Sequence, residues 1–337
     1  MNLSPDSPRS NDATREDSGP SLVSVSSVAE CTASLATCAR PLARGTDLLP
    51  SLRERVVPPT PLVDLTTLPE LAGISWQADG AVEIGAMTTL AAIEQDARMR
   101  ERFPALAESC AAVGSPAIRN AATLGGNLCQ RPRCWYFRQR LPCHKHGGSF
   151  CFAHDGENEF HAILGGGPCY IVHPSDTAVA LMALGASIEV AGPDGQRRMP
   201  IDEFFVLPSQ RIDAEHVLQP GELVRAVCLP AEASGAFQRF EKVMQRGAWD
   251  FAVVSLAAAR LRSGSVRLVL GGVAPIPWRV RSSIEEDVAS GSLSEDDIDT
   301  LAERAMYDAQ PLANNGYKVD IALALLRRAM RVLSPDT

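Results

Sequence analysis

No stretch of the 337-residue chain approaches the roughly 18 to 20 consecutive apolar side chains needed to span a bilayer, so no membrane insertion is expected. A positively charged start followed by an apolar run is also missing, as is a twin-arginine pair near the N-terminus. The expected compartment is therefore cytoplasmic, with the periplasm open only through co-export with a signal-bearing partner. Positive charge is scarce: the formal net charge is -8, and no basic stripe alternates with aromatics. A phosphate backbone would repel such a chain, which argues against a nucleic-acid partner. No G-x-G-x-x-G lies between a strand and a helix with an acidic residue about 20 positions later, which excludes a Rossmann domain. Nine cysteines are too sparse in a chain this long, and odd in number, for a disulfide framework.

What is present concentrates between Asn120 and Asp176. In Asn120-Ala-Ala-Thr-Leu-Gly-Gly-Asn127 two glycines stand between an apolar residue and an asparagine, so backbone N–H groups can approach an anionic ligand with no side chain in the way. Cys129, Cys134, Cys143, Cys151 and Cys169 follow, and then His173-Pro-Ser-Asp176. The spacing of Cys134, Cys143, Cys151 and Cys169 is neither the C-x2-C pairing of structural zinc sites nor a ferredoxin run. An iron-sulfur cluster, zinc and unligated thiols all remain open readings, with Cys129 a possible substitute ligand. Arg131, Arg133, Arg138, Arg140, His144 and Lys145 stand among the thiols. Their charge would lower thiolate pKa values and offset the negative charge of a four-thiolate cluster; the plain alternative is a basic surface loop. Cys31, Cys38, Cys110 and Cys228 are scattered and read as small apolar residues.

The chain is long enough for about two domains. Residues 1–20 are polar and read as a disordered tail. A strand at 40–43 stops at Arg44-Gly-Thr-Asp47, a turn that offers donors to a pyrophosphate, although a plain turn has the same composition. Further strands are expected at 62–65, 81–84 and 187–191, another ends at Pro230, and helices are expected at 90–98, 104–113 and 177–184. After a soft boundary at 231–235, strand-like segments at 237–244, 251–262 and 266–271 favour an antiparallel meander that ends at Pro275-Ile-Pro277. Ser294 and Asp297 suggest a capping box for a helix to 308. A last helix, 319–333, would place Ile321, Leu325, Ala329 and Val332 on its buried face and Arg327, Arg328 and Arg331 on a solvated one.

Seven segments together carry a resemblance: Arg119-Asn-Ala-Ala-Thr-Leu-Gly-Gly-Asn127, Arg133-Cys-Trp-Tyr-Phe-Arg138, Gly167-Pro-Cys169, His173-Pro-Ser-Asp176, Phe204-Phe-Val-Leu-Pro208, Leu270-Gly-Gly-Val-Ala-Pro-Ile-Pro-Trp278 and Asn315-Gly-Tyr-Lys318. They strongly resemble the FAD-binding (medium) subunit of the molybdenum hydroxylases, the xanthine dehydrogenase family. The nearest subgroup is the [4Fe-4S]-containing flavin subunit of bacterial aldehyde oxidoreductases. The implied fold is α+β. It has an FAD-binding domain of the vanillyl-alcohol-oxidase (PCMH) type in two α/β parts over residues 21–232, with an iron-sulfur insertion at about 129–169. A C-terminal domain like that of CO dehydrogenase flavoproteins, 236–337, follows with a three-stranded antiparallel sheet and helices.

Carried over by motif, Arg44, Gly45, Thr46, Asp47 and Leu48 would hold the FAD pyrophosphate, and Thr123, Gly125, Gly126 and Asn127 would form a second phosphate loop. Asp176 would face ribityl or ribose hydroxyls, and Leu218 and Lys242 would line the flavin. Cys134, Cys143, Cys151 and Cys169 would ligate a [4Fe-4S] cluster, leaving Cys129 a bystander. Relatives usually carry glycine where this chain has Arg44. Arginine there strains the loop if the position takes a positive φ, or adds a charge-assisted contact if the side chain faces the pyrophosphate. The implied function is an oxidoreductase subunit for electron transfer, with no catalytic acid or base. It would work with a large molybdopterin-binding subunit and a small [2Fe-2S] subunit, passing electrons from partner clusters through FAD to an external acceptor. The alternative is a flavin-free, metal-stabilised assembly subunit.

Overall fold

In the computed structural model, which describes residues 19–334, three sheets follow one another along the chain. Of the tail expected over residues 1–20, residues 1–18 lie outside the described residues. The first sheet is parallel. It comprises β1 (Leu22–Ser24), β2 (Arg40–Leu42) and β3 (Leu62–Asp64), with β3 in the middle. Parallel neighbours need a crossover, and the helices Val28–Leu35 and Leu48–Arg53 lie in those connections.

The second sheet is antiparallel, in the order β4-β5-β8-β6-β7. Its strands are β4 (Ile74–Trp76), β5 (Val82–Gly85), β6 (Ser187–Gly192), β7 (Gly195–Pro200) and β8 (Leu223–Leu229). Sequence reasoning missed β4 and β7. The first, Ile-Ser-Trp, has only three residues, too few for a period to show, and the second is an edge strand whose Gln196, Arg197 and Arg198 are exposed, so it shows no apolar alternation. The helix expected at 90–98 is two, Leu90–Gln95 and Ala97–Arg102, because the Asp96 carboxylate accepts from Met99 N–H at 2.8 Å and caps the second. Short helices Pro116–Ala121 and Leu124–Leu128 were also not expected.

Helix Asp176–Ala183 buries all eight of its residues, as suits a segment that is apolar nearly all round. One side of its burial comes from the third sheet, β9 (Phe237–Val243), β10 (Val254–Arg260), β11 (Val266–Gly271) and β12 (Trp278–Arg279), ordered β12-β11-β10-β9. The three long strands form the expected meander. The sheet does not end at Pro277, however, because Trp278 pairs with Leu270 and adds a short fourth strand. β10 is a partition wall. Its Ala257 and Ala259 belong to the core around helix Asp176–Ala183, and its Val254, Leu256 and Ala258 to the C-terminal core. Small apolar residues suit a strand covered on both faces.

Helices Ser282–Ser290, Glu295–Ala305 and Tyr317–Leu333 complete the C-terminal part. Ser294 and Asp297 form the expected capping box. The last helix buries Lys318, Ala322, Leu325, Leu326, Ala329, Met330 and Leu333, whereas Val332 is exposed and Ile321 only half-buried. The buried face is thus rotated from the expected one, because a buried lysine sits on it. Arg327 and Arg331 pair with Asp299 and Glu295 of the preceding helix, each at 2.5 Å. Among the described residues no helix is long and apolar enough to cross a membrane.

Candidate functional site

β2 runs into the first loop, where Gly45 takes a left-handed φ of +73° and a Cβ would sit 2.4 Å from Leu49 Cδ1. Arg44 is exposed and is not among the residues of positive φ, so arginine brings no backbone strain there. The N–H groups of Thr46, Asp47 and Leu48 have no partner among the described residues. They point out of the start of helix Leu48–Arg53, a donor set suited to an anion.

The Asp47 side chain is engaged elsewhere. Its carboxylate accepts from the Arg131 N–H at 2.8 Å and from Arg138 Nη2 at 2.9 Å, and it pairs with Arg133. Burial works to raise this carboxyl, but Arg133, the Arg131 N–H and Arg138 together hold it below the ordinary carboxylate range.

The second loop corrects an expectation. The N–H of Leu124 goes to Thr88 O, that of Gly125 to Ala86 O, and that of Gly126 to the Thr123 hydroxyl, so the paired glycines have no spare donors. Close approach is what they provide. A Cβ on Gly125 would be 2.8 Å from Ala86 Cβ, and one on the exposed Gly126 would be 4.0 Å from Ala43 Cβ. The two loops therefore meet at Gly126.

Asn127 Oδ1 accepts from Ser175 Oγ at 2.5 Å and Thr177 Oγ1 at 2.7 Å, which pins this loop to the start of helix Asp176–Ala183. There Asp176 meets Lys242 of β9 at 2.7 Å, both side chains nearly fully buried, and Lys242 Nζ also donates to Ala112 O at 2.9 Å. Burial pushes the Asp176 carboxyl up to about 6 against the pull of Lys242. Leu218 is half-buried against the same core.

Cys134, Cys143, Cys151 and Cys169 line one cavity, together with Lys145 and His161 among others. Cys129 does not line it and packs against the main core, where burial pushes its thiol up to about 12. No carboxylate lines this cavity. Burial pushes Cys134 up to about 11, against the N–H groups of Phe137 and Tyr136 that bond its sulfur. Cys151 and Cys169 are hydrogen-bonded to each other, which lowers the first thiol and raises the second.

The basic residues do not do what their spacing suggested. Arg133 and Arg138 serve Asp47, Arg131 lies 3.2 Å from Glu215, and Lys145 Nζ donates to Glu215 at 2.6 Å. They staple the insertion to the domain; only Lys145 also draws down a thiol, that of Cys169.

A single zinc ion with Zn–S bonds of about 2.3 Å would hold its sulfurs within about 4.6 Å of one another. No three of these sulfurs come within 4.8 Å of one another. Four thiols round one carboxylate-free cavity make a soft donor set for a metal or a cluster. The tight trio Glu83, Glu189 and Cys228 is spanned by Arg225, which bonds both carboxylates, and is an ion-pair network. Sequence reasoning missed His161, whose Nε2 lies 3.2 Å from Cys134 Sγ. An isolated histidine in a loop carries no local signal.

The chain matches the family described as FAD binding domain in molybdopterin dehydrogenase over residues 18–232, and CO dehydrogenase flavoprotein C-terminal domain over residues 239–333. It is 36% identical over 290 residues to the aldehyde oxidoreductase FAD-binding subunit PaoB of Escherichia coli (strain K12), covering 83% of this chain and 87% of that one. With the carbon monoxide dehydrogenase medium chain of Hydrogenophaga pseudoflava it shares 26% over 305 residues, covering 88% and 89%. Among solved structures, carbon monoxide dehydrogenase from Hydrogenophaga pseudoflava lacking the Mo-pyranopterin moiety gives a TM-score of 0.71 at 25% identity, covering 93% of this chain and 96% of that chain. Quinoline 2-oxidoreductase from Pseudomonas putida 86 gives 0.69 at 25% identity, covering 93% and 95%. With these matches spanning nearly the whole described chain, the chain belongs to the FAD-binding medium subunits of the molybdenum hydroxylases.

Proposed function

We propose that this chain is the electron-transfer subunit of an aldehyde oxidoreductase or xanthine dehydrogenase type complex. It takes electrons from the [2Fe-2S] clusters of a small partner subunit and passes them through FAD to an external acceptor, while a large partner holds the molybdopterin. Its compartment is the cytoplasm unless a signal-bearing partner exports the complex. The observation that carries this reading is the first loop, whose Thr46, Asp47 and Leu48 N–H groups have no partner among the described residues and which follows directly on Ala43, the residue nearest Gly126 from that side.

Thr46, Asp47 and Leu48 hold the pyrophosphate through their backbone N–H groups, and Arg44 adds positive charge at the same rim. Asp47 contributes through its backbone, because its carboxylate fastens the loop to the insertion. Asp176 and Lys242 present a charge pair at the buried end, with Leu218 as an apolar wall. Bound FAD supplies the chemistry that links two-electron to one-electron exchange. No residue here is assigned a proton-transfer role.

In the same reading Cys134, Cys143, Cys151 and Cys169 are the ligands of a [4Fe-4S] cluster. The shared cavity and the 36% identity to an aldehyde oxidoreductase FAD-binding subunit support it. The division into a flavin domain at 21–232 and a C-terminal domain at 236–337 belongs to this proposal too.

The test is the ultraviolet-visible spectrum and iron content of the anaerobically purified chain, beside a variant with all four cysteines changed to serine. Flavin bands, with about four irons that vanish in the variant, are expected. A folded protein that is colourless and iron-free would sink this reading and favour a flavin-free assembly subunit.

A further inference from the structure

The wall of the cysteine cavity includes one histidine held with unusual completeness. The His161 carbonyl accepts from Lys318 Nζ at 3.0 Å and Asn315 Nδ2 at 3.1 Å. Lys318, fully buried, also donates to Phe160 O at 2.9 Å and Gly272 O at 2.8 Å. An ammonium has three N–H groups, and each has a carbonyl here. The start of the last helix thus clamps the backbone on either side of the His161 ring. The ring itself stands edge-on to Trp135, at 5.4 Å and 81°.

With its backbone clamped and its face packed, the ring has one polar contact. Nε2 lies 3.2 Å from Cys134 Sγ, and Nδ1 is buried with no partner among the described residues. A neutral imidazole carries a single N–H, on one ring nitrogen or the other. Placed on Nδ1, that proton would have no acceptor. Placed on Nε2, it has the Cys134 sulfur.

We infer that His161 donates an Nε2–H hydrogen bond to the Cys134 sulfur and thereby raises the reduction potential of the cluster that Cys134 ligates. This rests on the [4Fe-4S] reading above. Reduction adds negative charge to the ligand sulfurs, so a donor aimed at one of them favours the reduced form. His161 is a positioning and tuning residue. The clamp explains why the Asn315-Gly-Tyr-Lys318 segment belongs to the site although it lies in the C-terminal part.

The experiment is a dithionite titration of the anaerobic chain followed by electron paramagnetic resonance, comparing wild type, His161→Phe and His161→Gln, with iron measured in each. His161→Phe is expected to keep its iron and shift the midpoint potential downward. His161→Gln, whose amide N–H reaches a similar point, should return it toward wild type. An iron-bearing His161→Phe at the wild-type midpoint overturns the inference and leaves the cluster reading standing, whereas iron-free wild type overturns both. If His161→Phe loses its iron, wild type labelled with nitrogen-15 histidine decides. Pulsed resonance on the reduced protein must then show coupling to one imidazole nitrogen, and its absence overturns the inference.

Discussion

Arg138 Nη2 lies 2.9 Å from the Asp47 carboxylate, and the bond joins the cysteine insertion to the loop that begins at Gly45. The same arginine also donates to Ser51 Oγ at 2.7 Å, within helix Leu48–Arg53. The Gly45 loop and the cysteine insertion are thus fastened together. Asp47→Ala would leave Arg133 and Arg138 partly buried without their anion, at a cost of about 1–3 kcal/mol. The expected result is a lower urea midpoint together with a lower flavin-to-protein ratio after gel filtration; an unchanged ratio would show that the loop keeps its shape unaided.

Gly45 is the residue whose conformation an L side chain cannot share cheaply. Gly45→Ala combines a left-handed φ with a Cβ set against Leu49, which should cost about 1–2 kcal/mol. Flavin titration of the apoprotein is expected to show weaker binding. Binding at wild-type strength would count against the loop as the pyrophosphate site.

Lys242→Met removes the partner of a buried carboxylate. Breaking a buried pair by deleting one member typically costs about 3–5 kcal/mol, while replacing both by apolar groups can be neutral. Lys242→Met should therefore be strongly destabilised, and the double variant Asp176→Leu with Lys242→Met should recover much of the loss. Flavin content separates structure from function: it should stay low in the double variant even when the denaturation midpoint recovers.

His173 makes stability depend on pH. It is buried, packed edge-on against Phe205 at 4.7 Å, and burial, with a smaller effect of His216, pushes its pKa from 6.5 down to about 3. The unfolded chain takes up this proton near pH 6.5 and the folded chain only near 3. The stabilising contribution is therefore complete above 6.5 and is lost as pH falls toward 3, at about 1.4 kcal/mol per pH unit. His173→Phe should flatten the stability profile between pH 6 and pH 4 by that slope, as read by urea unfolding at several pH values. An unaltered slope would mean that the ring is protonated in the folded state.

Much of the element order was legible because it is written in local patterns. The strand-like composition of 237–244 and 266–271, the Ser294 and Asp297 cap and the small-residue turn at Gly45 need only neighbours to act. Grouping Cys134, Cys143, Cys151 and Cys169 as ligands while setting Cys129 aside followed from the resemblance alone; the four line one cavity that Cys129 does not line. β7 was illegible because an exposed edge strand loses its apolar face, and the face of the last helix was misjudged because Lys318, polar in any local reading, is buried by acceptors from distant segments. Hydrogen-bond partners were the part that no local pattern could decide. Asp47 turns to arginines far along the chain, the Gly125 N–H is taken by Ala86, and His161 reaches Cys134, because each choice depends on which segments the folded core brings within about 3 Å. The sequence by itself determined the longer elements and the residue types available to the site; tertiary packing decided which donors stay free, since a polar group buried by folding must find its partner wherever the fold has placed one.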